Sequence, residues 1–599
     1  MIFGRSSDQR RKKEQPCVGS RSLCWVLPAL LMLATTQHLQ AQKILHYLPE
    51  DALGFVLVRD VAGANKKCEH LIQMFEASLP APLAFAQFST GLREGVDFDG
   101  DVLISLIPGS HASAPPEPLV LLPIADYGKF AASIHGDDSG EVCRVTIAGE
   151  DVLVARHGPY AMIMNVENRE TLEILIGLEP EPVALLKPWA AWLEDNVATI
   201  GVMPAGVKKL LELGRQGLAQ QRLTLDDEFG NPEFSDALVQ MHQGLVVYQT
   251  MLDLFGAEVD RLAFGFSIDE TSNLRAGLRL LWENDHRASA ATTTTATTPA
   301  APLAGYPDQP FVLAGGGPLD GTWMNSLIKA GVQVMRQMPE TYGYEEFQEE
   351  QWQDLETSYQ DFVKSVRCAS VLMLPGEKGE PLFSNFFGTA QVHSAAQYLQ
   401  SYRKSVETWN RLMAQSTSDI RLQYEIREIK VGGAEACELL VDVATAARDP
   451  NVPMFNWMLE AMFGKEGKLR TLIVAADEKT LVYGMAGEQR MTRVIEQVKQ
   501  QEMGLQKSVH VQTTHKLLTP AAAWKFYVSP QGCVTWTKRI MDELFGQILP
   551  QTMVIPEYES SPPVGISVHL HEGQAEVDVV WPIEALQALA DYIKKCKEL

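Results

Sequence analysis

The apolar residues of this chain follow two alternating periods. VLISLIPG and EPLVLLP within 102–123, VLVARHGPYAMIMN from 152 and LIVAADEKTLVYGM from 472 are short apolar or alternating runs, interrupted by Pro-Gly, Gly-Pro or Glu-Lys pairs. Such runs predict strands joined by tight turns. Elsewhere apolar residues recur at the helical spacing: Val61, Cys68, Leu71 and Phe75 follow GFVLVRD, and Trp323, Leu327, Ala330 and Val334 follow PFVLAGG. That period predicts helices with one buried face. Because the elements do not alternate as regular βαβα units, the expected class is α+β, with largely antiparallel sheet packed by helices on one side.

The order of these elements recurs along the chain. VLVARHGPYAMIMNVENRETLEILI at 152–176 lies without a gap over LIVAADEKTLVYGMAGEQRMTRVIE at 472–496, each reading as strand, turn, strand and helix. GVMPAGVKKLLEL at 201–213 faces YVSPQGCVTWTKRIMDEL at 527–544, each a strand, a Pro-x-Gly turn and a helix. RLAFGFSI with LRAGLRLLW faces PVGISVHL with AEVDVVW, and the blocks from Gly54 and Val102 face those from Pro310 and Val371. Five blocks in one order predict a tandem duplication, with a first α+β copy over 42–286 and a second over 308–599. The segment 287–307 between them contains ASAATTTTATTPAAPLA, uncharged and without apolar periodicity, and is expected to be a linker. The second copy carries two insertions. One is a helix over 344–362 with an acidic outer face, the other the Met-, Phe- and Trp-rich stretch 449–468.

Charge narrows the choice of partners. The 599 residues hold 51 Lys and Arg against 75 Asp and Glu, a net charge of −24 that repels phosphate backbones and anionic lipid surfaces. Nucleic acid is therefore not expected as a partner. Residues 1–42 run the other way, with Arg5, Arg10, Arg11, Lys12, Lys13 and Arg21 against Asp8 and Glu14. A basic start, an apolar run from Leu23 to Ala34 and Leu39-Gln40-Ala41 read as a signal peptide over 1–41, cleaved after Ala41. The apolar run would span about 18 Å as a helix, short of the hydrocarbon core of about 30 Å. It predicts export to the periplasm or beyond, with no transmembrane helix after cleavage. Six cysteines remain after it, none near another, which excludes Cys-x-x-Cys redox centres and predicts mostly buried thiols.

Familiar catalytic signatures are absent: there is no phosphate-binding Gly-x-x-x-x-Gly-Lys loop, His-Glu-x-x-His, Gly-x-Ser-x-Gly or Gly-x-Gly-x-x-Gly. Three local features carry some chemistry. Gly315-Gly316-Gly317 reads as a turn between a strand and a helix, where bare amides hold anions in other proteins. Asp97, Asp99 and Asp101 alternate in DFDGDV, a spacing suited to Ca²⁺, but Val102 and Pro108 stand where a calcium loop needs Gly and Glu. His569 and His571 in VHLHEG share one face of a strand and can share a metal, while Glu572 points the other way and Glu576 and Asp578 fall on the next strand. Each has an ordinary structural explanation, so no catalytic, cofactor-binding or metal residue is assigned and no cofactor is expected.

The signal peptide followed by LPEDALGFVLVRDVAG, a helix, GDVLISLIPG and the later strand, hairpin and helix blocks resembles the large uncharacterised secreted proteins of planctomycete-type bacteria. The resemblance implies an exported, duplicated α+β protein and brings no catalytic residues with it. The expected function is that of a non-enzymatic scaffold or binding protein of the cell envelope or exterior, with a protein or small-molecule partner. The alternative is an envelope hydrolase whose site lies in the second copy, where the Gly315 loop, the 449–468 insertion and the His569 strand would converge.

Overall fold

The computed structural model describes residues 41–599 apart from 110–113, 140, 230–234, 257–258, 283–302, 320, 337–346, 415–423, 443–452, 465–467, 501–503, 546–553, 572 and 599. Residues 1–40 of the expected signal segment and 287–302 of the expected linker lie outside the described residues. Of the remainder of that linker, Leu303 and Tyr306 are buried in a core.

Helix and strand are mixed, at 43% and 30%. The first strands are β1 (Gly54–Val58), β2 (Val102–Ile107), β3 (Glu117–Pro123), β4 (Cys143–Ile147), β5 (Glu150–His157), β6 (Tyr160–Asn165), β7 (Ala198–Val202), β8 (Val259–Ile268) and β9 (Leu274–Trp282). After residue 303 come β10 (Leu313–Pro318), β11 (Val366–Met373), β12 (Phe386–Val392), β13 (Tyr424–Val431), β14 (Ala434–Asp442) and β15 (Lys468–Ala475). The last are β16 (Thr480–Gly484), β17 (Trp524–Val528), β18 (Val564–His571) and β19 (Gln574–Trp581).

All nineteen join one sheet, and each of its ladders is antiparallel. The pairings set the spatial order β4-β5-β6-β3-β2-β1-β7-β8-β9, then β19-β18-β17-β10-β11-β12-β16-β15-β14-β13. The two runs meet where β9 pairs with β19 over eight residues, from Leu274↔Trp581 to Leu281↔Gln574.

Helices pack on both faces, not on one as the pattern had predicted. β1 explains why: all five residues of GFVLV are buried, so neither of its faces meets water. On one face Phe55, Leu57, Leu103 and Met162 lie beneath Leu172 of helix Arg169–Gly177 and Leu193 of helix Ala190–Asp195. In the same layer of the other run, Leu372, Phe387 and Tyr527 lie beneath Met491 and Ile495 of helix Glu488–Gln500. On the opposite face Val56, Val58 and Ile104 meet helix Val61–Met74, and Ala390 and Ile473 meet helix Ala395–Met413. Fully burying a Leu or Phe contributes about 1.5–3 kcal/mol, so these layers hold the sheet together. The two cores on the first face are separated by the β9–β19–β18 strip, and there the residues turn polar.

Among the described residues no helix is long and apolar enough to cross a membrane. The acidic insertion is helix Glu349–Lys364, with Trp352 and Leu355 buried against helices Gly321–Arg336 and Ala395–Met413 while Glu349, Glu350 and Asp354 stay exposed.

Candidate functional site

β18 and β19 form a hairpin closed between His571 and Gln574, with Gly573 at φ +69°. Glycine takes that left-handed conformation without a steric penalty, which lets the chain reverse in two residues. So short a turn fixes the register: His571 faces Gln574 and His569 faces Glu576. Residues i and i+2 of a strand share a face, and a directly opposed pair has Cβ atoms about 5 Å apart. His569, His571 and Glu576 therefore come together, although the sequence alone had left Glu576 aside on the next strand. The two-residue turn was the signal that could have found it.

His571 Nε2 lies 3.0 Å from Glu576 Oε1, and His569 Nδ1 lies 3.8 Å from Glu576 Oε2. The two imidazole rings are 4.8 Å apart between centroids. One ligand atom from each of the three residues lies within 4.8 Å of the others. Gln574 Nε2 also donates to Glu576 Oε1, at 2.8 Å, and steadies the carboxylate. Burial, with the neighbouring His571 as a smaller cause, lowers the pKa of His569 below its ordinary value. Chemically this is a pair of imidazoles and one carboxylate on a half-buried surface, with the outer side of His571 open to water at 40% exposure.

The polar strip continues into the seam. Arg279, opposite Glu576, has its Nη1 3.0 Å from Asp578 Oδ1 and its guanidinium 4.8 Å over the Trp192 ring. Thr519 Oγ1 donates to Asp578 Oδ2 at 2.8 Å, and Arg275 Nη2 donates to Leu517 O at 2.6 Å. Trp192 reaches the sheet because Gly265 and Gly277 lie beneath it; a Cβ on Gly265 would stand 2.5 Å from the indole. Groups from both runs of strands thus meet at one polar strip.

The other candidates do not join it. Gly315, Gly316 and Gly317 are not a loop: they lie inside β10, all three paired with β11 and the first two also with β17. Their amides belong to the ladder, and the missing side chains make room for neighbours, since a Cβ on Gly316 would stand 2.4 Å from Ala369 O. Asp97, Asp99 and Asp101 serve separate ends. Asp101 is buried and accepts from Asp60 N at 3.0 Å, Asp97 accepts from Asp99 N at 3.2 Å, and Asp99 is exposed. The described part of the 449–468 insertion is helix Pro453–Phe463, bonded to the segment after β11 through Leu382 N to Ala461 O, 3.0 Å. It touches β15, six strand positions from β18, about 29 Å at the usual strand spacing. An open cleft of about 460 Å³ beside the start of helix Ala395–Met413 is lined by His393, Glu435, Asp477 and Lys479 among others, on the β15–β16 turn and away from the seam. Cys143, Cys368, Cys437, Cys533 and Cys596 are free thiols, and of these Cys437 alone is buried.

Compared with protein-family models, with curated proteins and with solved structures, the chain matches none.

Proposed function

We propose that this chain is an exported, non-enzymatic scaffold or binding protein of the cell envelope or exterior, of the kind secreted by planctomycete-type bacteria, built from a tandem duplication. The observation that carries the reading is the continuity of the sheet through β9 and β19. It makes the two runs one platform whose central ionisable groups tie strands together.

The duplication draws support from the strand order. The run β4-β5-β6-β3-β2-β1-β7-β8-β9 has the same order as β14-β15-β16-β12-β11-β10-β17-β18-β19, with β13 added at the far edge. On that reading β9 and β19 are equivalent strands, and their antiparallel pairing relates the copies 42–286 and 308–599 by an approximate twofold axis. Glu150–His157, Tyr160–Asn165 and Arg169–Gly177 recur as Lys468–Ala475, Thr480–Gly484 and Glu488–Gln500. The hydrolase alternative lacks such support, because its three elements do not gather around one cavity. The acidic charge makes a protein or small molecule, not a nucleic acid, the expected partner.

Intact-mass measurement of the protein from the extracytoplasmic fraction tests export: a chain beginning at Gln42 is expected, and an uncut chain kept in the cytoplasm overturns it. A screen of ester, peptide, glycoside and phosphate substrates tests the rest. Turnover that copurifies with the chain would replace the scaffold reading with an enzymatic one.

A further inference from the structure

We propose that His569, His571 and Glu576 form a binding site for a divalent transition metal, Zn²⁺ in the first instance, on the β18–β19 hairpin beside the seam. The donor set is the first argument. Imidazole nitrogen and carboxylate oxygen are zinc ligands, and two histidines with one carboxylate leave a fourth position of a tetrahedron for water or a further ligand.

Geometry is the second argument. Ligand atoms about 2.0–2.1 Å from a tetrahedral zinc stand about 3.4 Å from one another. Here they already lie within 4.8 Å, with the His571–Glu576 contact at 3.0 Å. Side-chain rotations of about an ångström close the set, and the backbone need not move because the hairpin register holds all three Cα atoms.

The surroundings are the third. Gln574 donates to the carboxylate, in the position of the outer-sphere partners that orient metal ligands. Arg279 is the cation that faces the site, 3.9 Å from Glu576 Oε2. Its charge is countered by Asp578 at 3.0 Å, so the site is not held against a bare positive charge. Solvent reaches His571, which supplies an entry path. None of this depends on the duplication or on the scaffold reading, and a metal here would clamp the hairpin that carries the seam.

The test uses the full chain without a histidine tag, stripped with EDTA and titrated with Zn²⁺ against a chromophoric chelator. One equivalent of Zn²⁺ is expected, with affinity lowered about a hundredfold or more in the double variant His569→Gln/His571→Gln, beyond the ten- to hundredfold usual for an outer-sphere partner. His510→Gln, on an exposed histidine remote from the hairpin in sequence, is expected to bind like the unaltered chain. Zinc-edge X-ray absorption of the unaltered protein decides the matter without any variant: two imidazoles in the first coordination sphere support the site. Fewer than two imidazoles, no stoichiometric zinc, or zinc retained by the folded double variant would overturn it.

Discussion

Arg279 and Asp578 meet across the junction of β9 and β19, with Nη1 3.0 Å from Oδ1 and side chains only 7% and 2% exposed. They are diagonal neighbours in the register, since Arg279 faces Glu576 and Asp578 faces Gly277. Gly277 leaves the space that Asp578 uses, because a Cβ there would stand 2.9 Å from Oδ1. Charges buried this deeply lose their hydration, and the contact is sustained only if both partners stay.

Asp578→Ala is therefore expected to lower the unfolding free energy by about 3–5 kcal/mol, the usual cost of stranding one half of a buried pair. Arg279→Met with Asp578→Leu together should cost much less than the two single changes added. Urea unfolding measures both, and strict additivity would mean that the pair is not coupled.

The interior of β10 gives a second expectation. Gly316→Ala places a Cβ 2.4 Å from Ala369 O and 2.7 Å from Ser370 Cα, an overpacking expected to cost about 1–3 kcal/mol. At Gly487 a Cβ meets nothing within 4 Å, so Gly487→Ala should stay within about 0.5 kcal/mol of the parent. Equal denaturation midpoints for the two variants would contradict the placement of the triple glycine in a central strand.

Tyr306 ties the start of the second run into its core. Its hydroxyl lies 2.8 Å from Ser370 Oγ, which in turn lies 2.6 Å from Thr389 Oγ1, and the ring is 1% exposed. Removing the hydroxyl by Tyr306→Phe is expected to cost about 1–2 kcal/mol. A neutral substitution, read from the same unfolding curves, would place Tyr306 outside the core.

Half-buried histidines set a pH dependence, His157 and His569 among them. His157, half-buried against Tyr47, and His569, half-buried beside His571, both have pKa values lowered from 6.5. Near His569, Glu576 acts the other way and Arg279 in the same direction as burial. Below pH 6.5 the unfolded chain takes up these protons before the folded one, so their contribution is present above that pH and is lost as pH falls through the folded values. NMR titration of the imidazole protons should give midpoints below 6.5 for both, accompanied by falling stability over that range. A midpoint above 6.5 for either would contradict its burial.

Much of the local structure was legible in advance. The hairpin and helix at 152–176 and 472–496 and the acidic helix at Glu349–Lys364 follow from apolar period and turn residues, which act over a few neighbours. The triple glycine departs from the turn that glycine before a helix signals, because here Trp524 and Phe526 on β17 take up the space that side chains on Gly317 and Gly315 would need. Whether a glycine is a bend or a gap for a neighbour depends on that neighbour, which sequence spacing does not reveal.

By itself the sequence determined the mixed class, the antiparallel hairpins, the helices that follow those hairpins and the acidic surface, because periodicity, turn chemistry and net charge are properties of neighbours or of totals. Only the tertiary structure decided that β9 pairs with β19, that helices cover both faces, and that Arg279 and Asp578 share a buried site beside the two histidines. Those contacts join residues some 300 positions apart in the chain, and their selection rests on complementary burial and charge across the whole sheet, to which no local pattern is sensitive.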